Sequence, residues 1–292
     1  MTEPRLAFVA CLDTRGLHRM AYWEWGDAAN PRVLVCVHGL TRQGRDFDTL
    51  AGALAADYRV ICPDVVGRGR SVRLADPMGY QVPTYVADMV TLLARLGAEQ
   101  VDWVGTSMGG LIGLGLASLR DSVGRSPVRR MVINDIGPTI DAVAVQRIGD
   151  YLGLPRRYAN LDEAADYLWS ISQGFGPHTR AQWLALTRPQ LVADGDGYVS
   201  HYDPRIALPF KAVTPELAAA GEAMLWQRYD SLTCPTLLLR GANSDLLSHD
   251  TAQAMTQRGP KARLVELPGI GHAPTLVADD QIALVREFLA TP

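Results

Sequence analysis

Lysine is almost missing from this chain. It occurs at Lys211 and Lys261 alone, and arginine carries the rest of the positive charge. No run rich in Lys and Arg stands out, and the formal net charge is −3, so the charge pattern gives no reason to expect nucleic acid as a partner. No stretch of about 18 apolar residues exists, which argues against a helical membrane span. The apolar run near the start, Leu6 to Leu12, has seven residues, with charges on both sides and no small-residue cleavage site after it. It is therefore not read as a signal peptide. Cysteine is scarce as well. Cys11, Cys36, Cys62 and Cys234 are scattered, three of them inside strand-like apolar runs. That pattern predicts buried, reduced thiols in a cytoplasmic protein, with neither a disulfide framework nor a metal framework. Internal repeats and low-complexity segments are also absent.

What is present is an ordinary globular composition, 48% hydrophobic and 20% charged, over 292 residues. That is long enough for one large α/β domain with an inserted subdomain. Phe8–Asp13 and His18–Gly26 are rich in strand formers and flank a turn at Asp13-Thr14-Arg15-Gly16, which predicts an antiparallel hairpin. Val33–Val37 is apolar at every position, as in a strand buried on both faces of a parallel sheet. A helix is expected from Asp46 to Ala56 and a strand from Tyr58 to Asp64. A second helix is expected from Pro83 to Gly97, a strand at Val101–Val104, a helix at Leu111–Arg120 and a strand at Val128–Ile136. From Pro138 to about Asp230 the alternation stops, and helical segments, loops and aromatics take over. It resumes with a strand at Pro235–Gly241, a helix near His249–Gln257, a strand at Arg263–Leu267 and a last helix from about Asp279 to Leu289. Strands alternating with helices predict a mostly parallel sheet of about eight strands covered on both faces. The expected partition is a core of 1–137 and 231–292, with a mainly helical cap at 138–230.

In a sheet of this kind the site lies at the carboxyl ends of the strands. Between the strand at Val101 and the helix that follows stands Gly105-Thr106-Ser107-Met108-Gly109. A Gly-x-Ser-x-Gly between strand and helix is a nucleophile elbow, in which Gly105 and Gly109 leave room for a sharp turn that exposes the serine oxygen. Ser107 needs a base, and His272, between glycines and a proline after the last strand, is the candidate. The base needs an acid to orient it. Asp245 and Asp135 each follow a strand and each fit the order Ser…Asp…His. Asp245 is the preferred acid and Asp135 the alternative, with a capping or turn role for Asp135 if Asp245 serves. The oxyanion needs two backbone donors, and the expected pair is the amides of Met108 and Leu40. Gly39 lets the backbone approach closely, and His38 is read as shaping that loop. Arg42 and Arg45 could meet an acidic substrate group, but a solvated or salt-bridged role is the simpler reading.

These residues together resemble the α/β-hydrolase superfamily. The resemblance rests on His38-Gly39-Leu40, on Asp64-x-x-Gly67-x-Gly69-x-Ser71, on the elbow with Gly110 after it, on Asp245 and on Gly271-His272. It spans essentially the whole chain and implies the α/β-hydrolase fold with a cap inserted after the sixth strand. It further implies a serine hydrolase that cleaves small or medium apolar carboxylic esters through an acyl-enzyme, with no metal or organic cofactor. A lactonase, thioesterase, carbon–carbon hydrolase or perhydrolase on the same triad is the alternative reading. A ligand sensor on a hydrolase scaffold is a further one. Ser107 sets aside the relatives of this fold that use an aspartate nucleophile. The aromatics of the cap are expected to divide between a seam against the core and an acyl or aryl pocket.

Overall fold

The computed structural model describes residues 3–291. Met1, Thr2 and Pro292, which the sequence reading assigned to the two ends of the core, lie outside the described residues. The chain opens with β1 (Arg5–Asp13) and β2 (Gly16–Trp25), paired antiparallel in a register that sets Asp13 opposite Gly16. It continues through β3 (Val33–Val37), β4 (Arg59–Asp64), β5 (Val101–Thr106) and β6 (Val128–Asn134). An insertion follows, which contains β7 (Arg157–Tyr158), β8 (Leu191–Asp194) and β9 (Gly197–Ser200). The chain ends with β10 (Thr236–Gly241), β11 (Arg263–Leu267) and a helix at Asp279–Ala290. The main sheet has eight strands in the order β1-β2-β4-β3-β5-β6-β10-β11. From β4 to β11 every neighbouring pair is parallel.

The missing alternation in the central strands has a direct cause. Val35 and Val37 face one core, with Met89, Leu92, Ile112 and Leu116 of the helices Val82–Leu96 and Met108–Ala117. Leu34 and Cys36 face the other, with Leu50 and Leu54 of the helix Asp48–Leu54 and Ile282, Val285 and Leu289 of the last helix. All five side chains of β3 are buried, so neither face can be polar. Each such side chain contributes about 1.5–3 kcal/mol of burial. The helix Val82–Leu96 stops as its sequence predicts, at Gly97 in the left-handed conformation (φ 67°).

The insertion between β6 and β10 carries helices at Ala142–Tyr151, Leu161–Ser170, Arg180–Thr187, Ala207–Lys211 and Pro215–Asp230. It also carries a three-stranded sheet, β7-β9-β8, where the sequence reading had only helices and loops. These strands are two to four residues long, too short for a periodic signal. The hairpin β8–β9 turns at Gly195-Asp196, with Gly195 at φ 57°, and the local cue is the Asp194-Gly195-Asp196-Gly197 run.

Candidate active site

The elbow is made by close backbone contact. A Cβ on Gly105 would stand 2.3 Å from the Gly109 carbonyl oxygen, and one on Gly109 would stand 2.0 Å from that of Val37. Only glycine fits at either place. Ser107 between them has φ 51°, ψ −116°, a strained conformation for a residue with a side chain, costing on the order of 1–3 kcal/mol. It is held by Ser107 N–H donating to the Asn134 carbonyl at 2.9 Å and by its own carbonyl accepting from Gly110 N–H at 2.8 Å.

The Ser107 Oγ lies 2.9 Å from Nε2 of His272. The other ring nitrogen, Nδ1, lies 2.7 Å from Oδ2 of Asp135. Asp135 is completely buried, and its carboxylate accepts further bonds from Gly241 N–H at 2.8 Å and Ser244 Oγ–H at 2.6 Å. Its backbone is also left-handed, at φ 57°, a second strained residue at the same strand ends. Asn134 donates from Nδ2 to Thr106 Oγ1 at 2.9 Å and to the Pro274 carbonyl at 2.8 Å. It thereby ties β5 to the loop that carries His272.

Asp245, the acid preferred from the sequence, is not beside His272. The chain turns back after β10, with Ser244 N–H donating to the Gly241 carbonyl at 2.8 Å. That turn aims Ser244 at Asp135 and Asp245 outward, where it pairs with Arg147 of the insertion at 2.7 Å, both side chains about half exposed. The sheet order explains the correction. β6 lies between β5 and β10, so the residue following β6 sits under the imidazole.

Leu40 follows β3 and Met108 starts the helix after Ser107. Neither amide donates to another protein group among the described residues. His38, fully buried, donates from Nδ1 to the Gly39 carbonyl at 2.7 Å and accepts at Nε2 from Val65 N–H at 3.0 Å. With the Gly39 carbonyl pulled back, the Leu40 N–H of the same trans peptide points the opposite way. Burial, aided by the Arg68 charge, keeps this imidazole neutral, with its pKa well below 6.5. His38 therefore shapes the loop, as its sequence context implied. Arg42 and Arg45 are salt-bridged, to Asp46 at 2.6 Å and to Asp48 at 2.7 Å.

Asp64 explains the glycine-punctuated loop. Its carboxylate accepts from Gly44 N–H, Arg70 N–H and Trp23 Nε1–H. A Cβ on Gly69 would come within 2.2 Å of it. His201, which the sequence gave no reason to single out, joins this loop to the insertion. Its Nδ1 accepts from Gly69 N–H at 2.7 Å, and Nε2 donates to the Thr41 carbonyl and to Gln190 Oε1. Burial first, then Arg42, depress its pKa to about 3. A folded-state value below the unfolded 6.5 means that stability is complete above pH 6.5 and is lost as pH falls toward 3. His201→Gln is therefore expected to be less stable than the parent at pH 7.5. The gap should narrow by about 2 kcal/mol by pH 5, at roughly 1.4 kcal/mol for each pH unit below 6.5. Urea unfolding at the two pH values measures it, and an unchanged gap would contradict the neutral, buried assignment.

Above Ser107 lies a narrow cavity of about 120 Å³, bounded by Leu40 and His272 on one side and by Tyr151, Leu168, Ile171, Phe175 and Leu186 of the insertion on the other. The insertion is pinned to the histidine loop by Gly271 N–H donating to the Gly174 carbonyl at 2.7 Å. Its aromatics divide. Trp183 is buried in a small core and meets Trp169 edge-on at 5.0 Å, whereas Tyr151 and Phe175 line the cavity.

The family model described as "Alpha/beta hydrolase family" matches residues 34–285, and the chain belongs to that family of hydrolases. It is 56% identical over 290 residues to a 3-hydroxybutyrate-oligomer hydrolase of Cupriavidus necator, covering 98% of both chains. Among solved structures, an α/β hydrolase from Novosphingobium aromaticivorans matches with TM-score 0.84 and 37% identity over 99% of each chain. A candidate hydrolase from Rickettsia typhi matches with TM-score 0.87 and 30% identity, again over 99% of each. No helix among the described residues is long and apolar enough to cross a membrane.

Proposed function

We propose that this hydrolase cleaves the ester bonds of short 3-hydroxyalkanoate oligomers through an acyl-enzyme. The reading rests on one observation: an unbroken line of contacts from Ser107 Oγ through His272 to the buried Asp135 carboxylate. Ser107 attacks the ester carbonyl as His272 Nε2 takes its proton, and the negative charge on the carbonyl oxygen is met by the Leu40 and Met108 amides. The intermediate collapses as His272 returns the proton to the departing alcohol oxygen, which leaves an ester on Ser107. Water, deprotonated by the same nitrogen, releases the hydroxy acid. Asp135 keeps the imidazole in the tautomer that presents Nε2 to the serine and stabilises its protonated form. Residues 138–230 act as the cap and, with Tyr151 and Phe175, bound the acyl site. The apolar side chains of the insertion wall, which also includes Arg147 and Ser172, suit a short aliphatic acyl group, and the relative's activity supplies the oligomer as substrate class. The buried, free state of all four cysteines supports a cytoplasmic location.

A panel of 3-hydroxybutyrate dimer and trimer, p-nitrophenyl butyrate, a γ-lactone and a short acyl-CoA tests the assignment. The oligomers are expected to give the highest kcat/KM and the activated ester measurable turnover. Preference for the lactone or the thioester, with the oligomers untouched, would overturn it.

A further inference from the structure

Arg68 lies inside the Asp64–Ser71 loop and is completely buried. Its Nε donates to the Leu40 carbonyl at 2.9 Å, and Nη1 donates to the Val66 carbonyl and to Tyr85 Oη at 2.8 and 2.9 Å. Nη2 lies 3.7 Å from the Met108 sulfur. One rigid guanidinium thus touches both residues whose amides would form the oxyanion pocket. Leu40 lies on the loop after β3 and Met108 at the start of a helix, and the fork geometry of arginine fixes their relative position in a way a flexible ammonium does not.

Among the described residues the charge on Arg68 has no carboxylate counter-ion, and none of the salt bridges involves it. That charge is met by neutral groups, the Leu40 and Val66 carbonyls and the Tyr85 hydroxyl, and by the faces of Tyr85 and Tyr80, 5.2 and 5.6 Å from the guanidinium carbon. A buried charge without a paired carboxylate is costly, and an apolar side chain of similar volume would serve packing as well or better. The negative charge that the resting protein lacks here is the one that develops on a substrate carbonyl oxygen during acyl transfer. In a buried, low-dielectric site a fixed cation is most effective toward such transient charge, since nothing must reorganise when the charge appears.

We propose that Arg68 is a positioning residue for acyl transfer: its guanidinium locks the Leu40 and Met108 segments at the spacing an oxyanion needs and supplies the positive charge behind them. The proposal rests on the ester-hydrolase reading. It assigns Arg68 no contact with substrate, so ground-state binding is left alone.

The test compares parent, Arg68→Met and Arg68→Lys with p-nitrophenyl butyrate and with butylboronic acid, whose serine adduct places an oxygen in the oxyanion pocket. Arg68→Met, which keeps the volume, is expected to lower kcat about 10²-fold, comparable to the loss of one oxyanion donor. KM should stay within about threefold, and boronate affinity should fall in parallel with kcat. Arg68→Lys keeps the charge without the fork and is expected to fall about 10-fold in kcat at unchanged KM. It carries the test if the Met variant does not fold. A folded variant with kcat within threefold of the parent, a loss carried by KM, or a fall in kcat at unchanged boronate affinity would overturn the proposal. If the parent itself neither cleaves esters nor binds the boronate, the ester reading falls and this proposal with it. If the parent cleaves them as fast as Arg68→Met, only the role of Arg68 falls.

Discussion

Ser107→Ala is expected to lower kcat for oligomer hydrolysis by about 10⁶, the scale seen when a serine hydrolase loses its nucleophile. Alanine at φ 51° is as strained as serine there, and the elbow is enforced by the Gly105 and Gly109 contacts rather than by the hydroxyl. Thermal stability should therefore stay close to the parent. The same substitution should abolish labelling by a fluorophosphonate, since the oxygen that lies 2.9 Å from His272 Nε2 has been removed. Steady-state kinetics and labelling together make the check. Residual activity above about one part in 10³ would point to a different nucleophile.

Asp135→Asn is the second large effect, an expected loss of about 10⁴ in kcat. Asparagine keeps the shape but can present its NH₂ to Nδ1, which favours the tautomer with the proton on the wrong nitrogen. It also weakens acceptance of the Gly241 and Ser244 bonds, so a modest loss of stability should accompany the kinetic one. Asp245→Asn removes one half-exposed ion pair with Arg147, worth about 0–1 kcal/mol, and kcat should stay within about threefold. Comparing the two variants on the same oligomer decides between the carboxylates. A 10⁴ loss from Asp245→Asn with Asp135→Asn near the parent would reverse the assignment.

The strand ends of the main sheet were legible because local patterns there each have one physical cause. The unbroken apolar run at Val33–Val37 reports two covered faces, and Gly97 reports a left-handed stop. Gly105 and Gly109 report a turn with no space for a Cβ. The carboxylate that meets His272 was not legible, because Asp135 and Asp245 both end strand segments in the right chain order. Strand order in space, which places β6 beside β5 and its Ser107 turn, separates them, and no local pattern encodes it. Ser244, one residue before Asp245, is what that loop contributes to the site. Arg68 and His201 were obscured for a different reason. A buried arginine or histidine resembles a surface one in sequence until the partners are known, and those of Arg68 come from the loops at Leu40 and Val66 and from Met108 and Tyr85 of two helices. The small sheet β7-β9-β8 escaped because strands of two to four residues have no period to read.

The most direct test of the central claim is to find the acyl group itself. Asp135→Asn, slowed in both half-reactions, is mixed with 3-hydroxybutyrate trimer, quenched in acid, digested and analysed by mass spectrometry. The expected result is a 3-hydroxybutyryl ester, or its oligomer, on the peptide that carries Ser107, and its absence in Ser107→Ala. Turnover that proceeds with Ser107 unmodified at every quench time, or an acyl group on another residue, would contradict it.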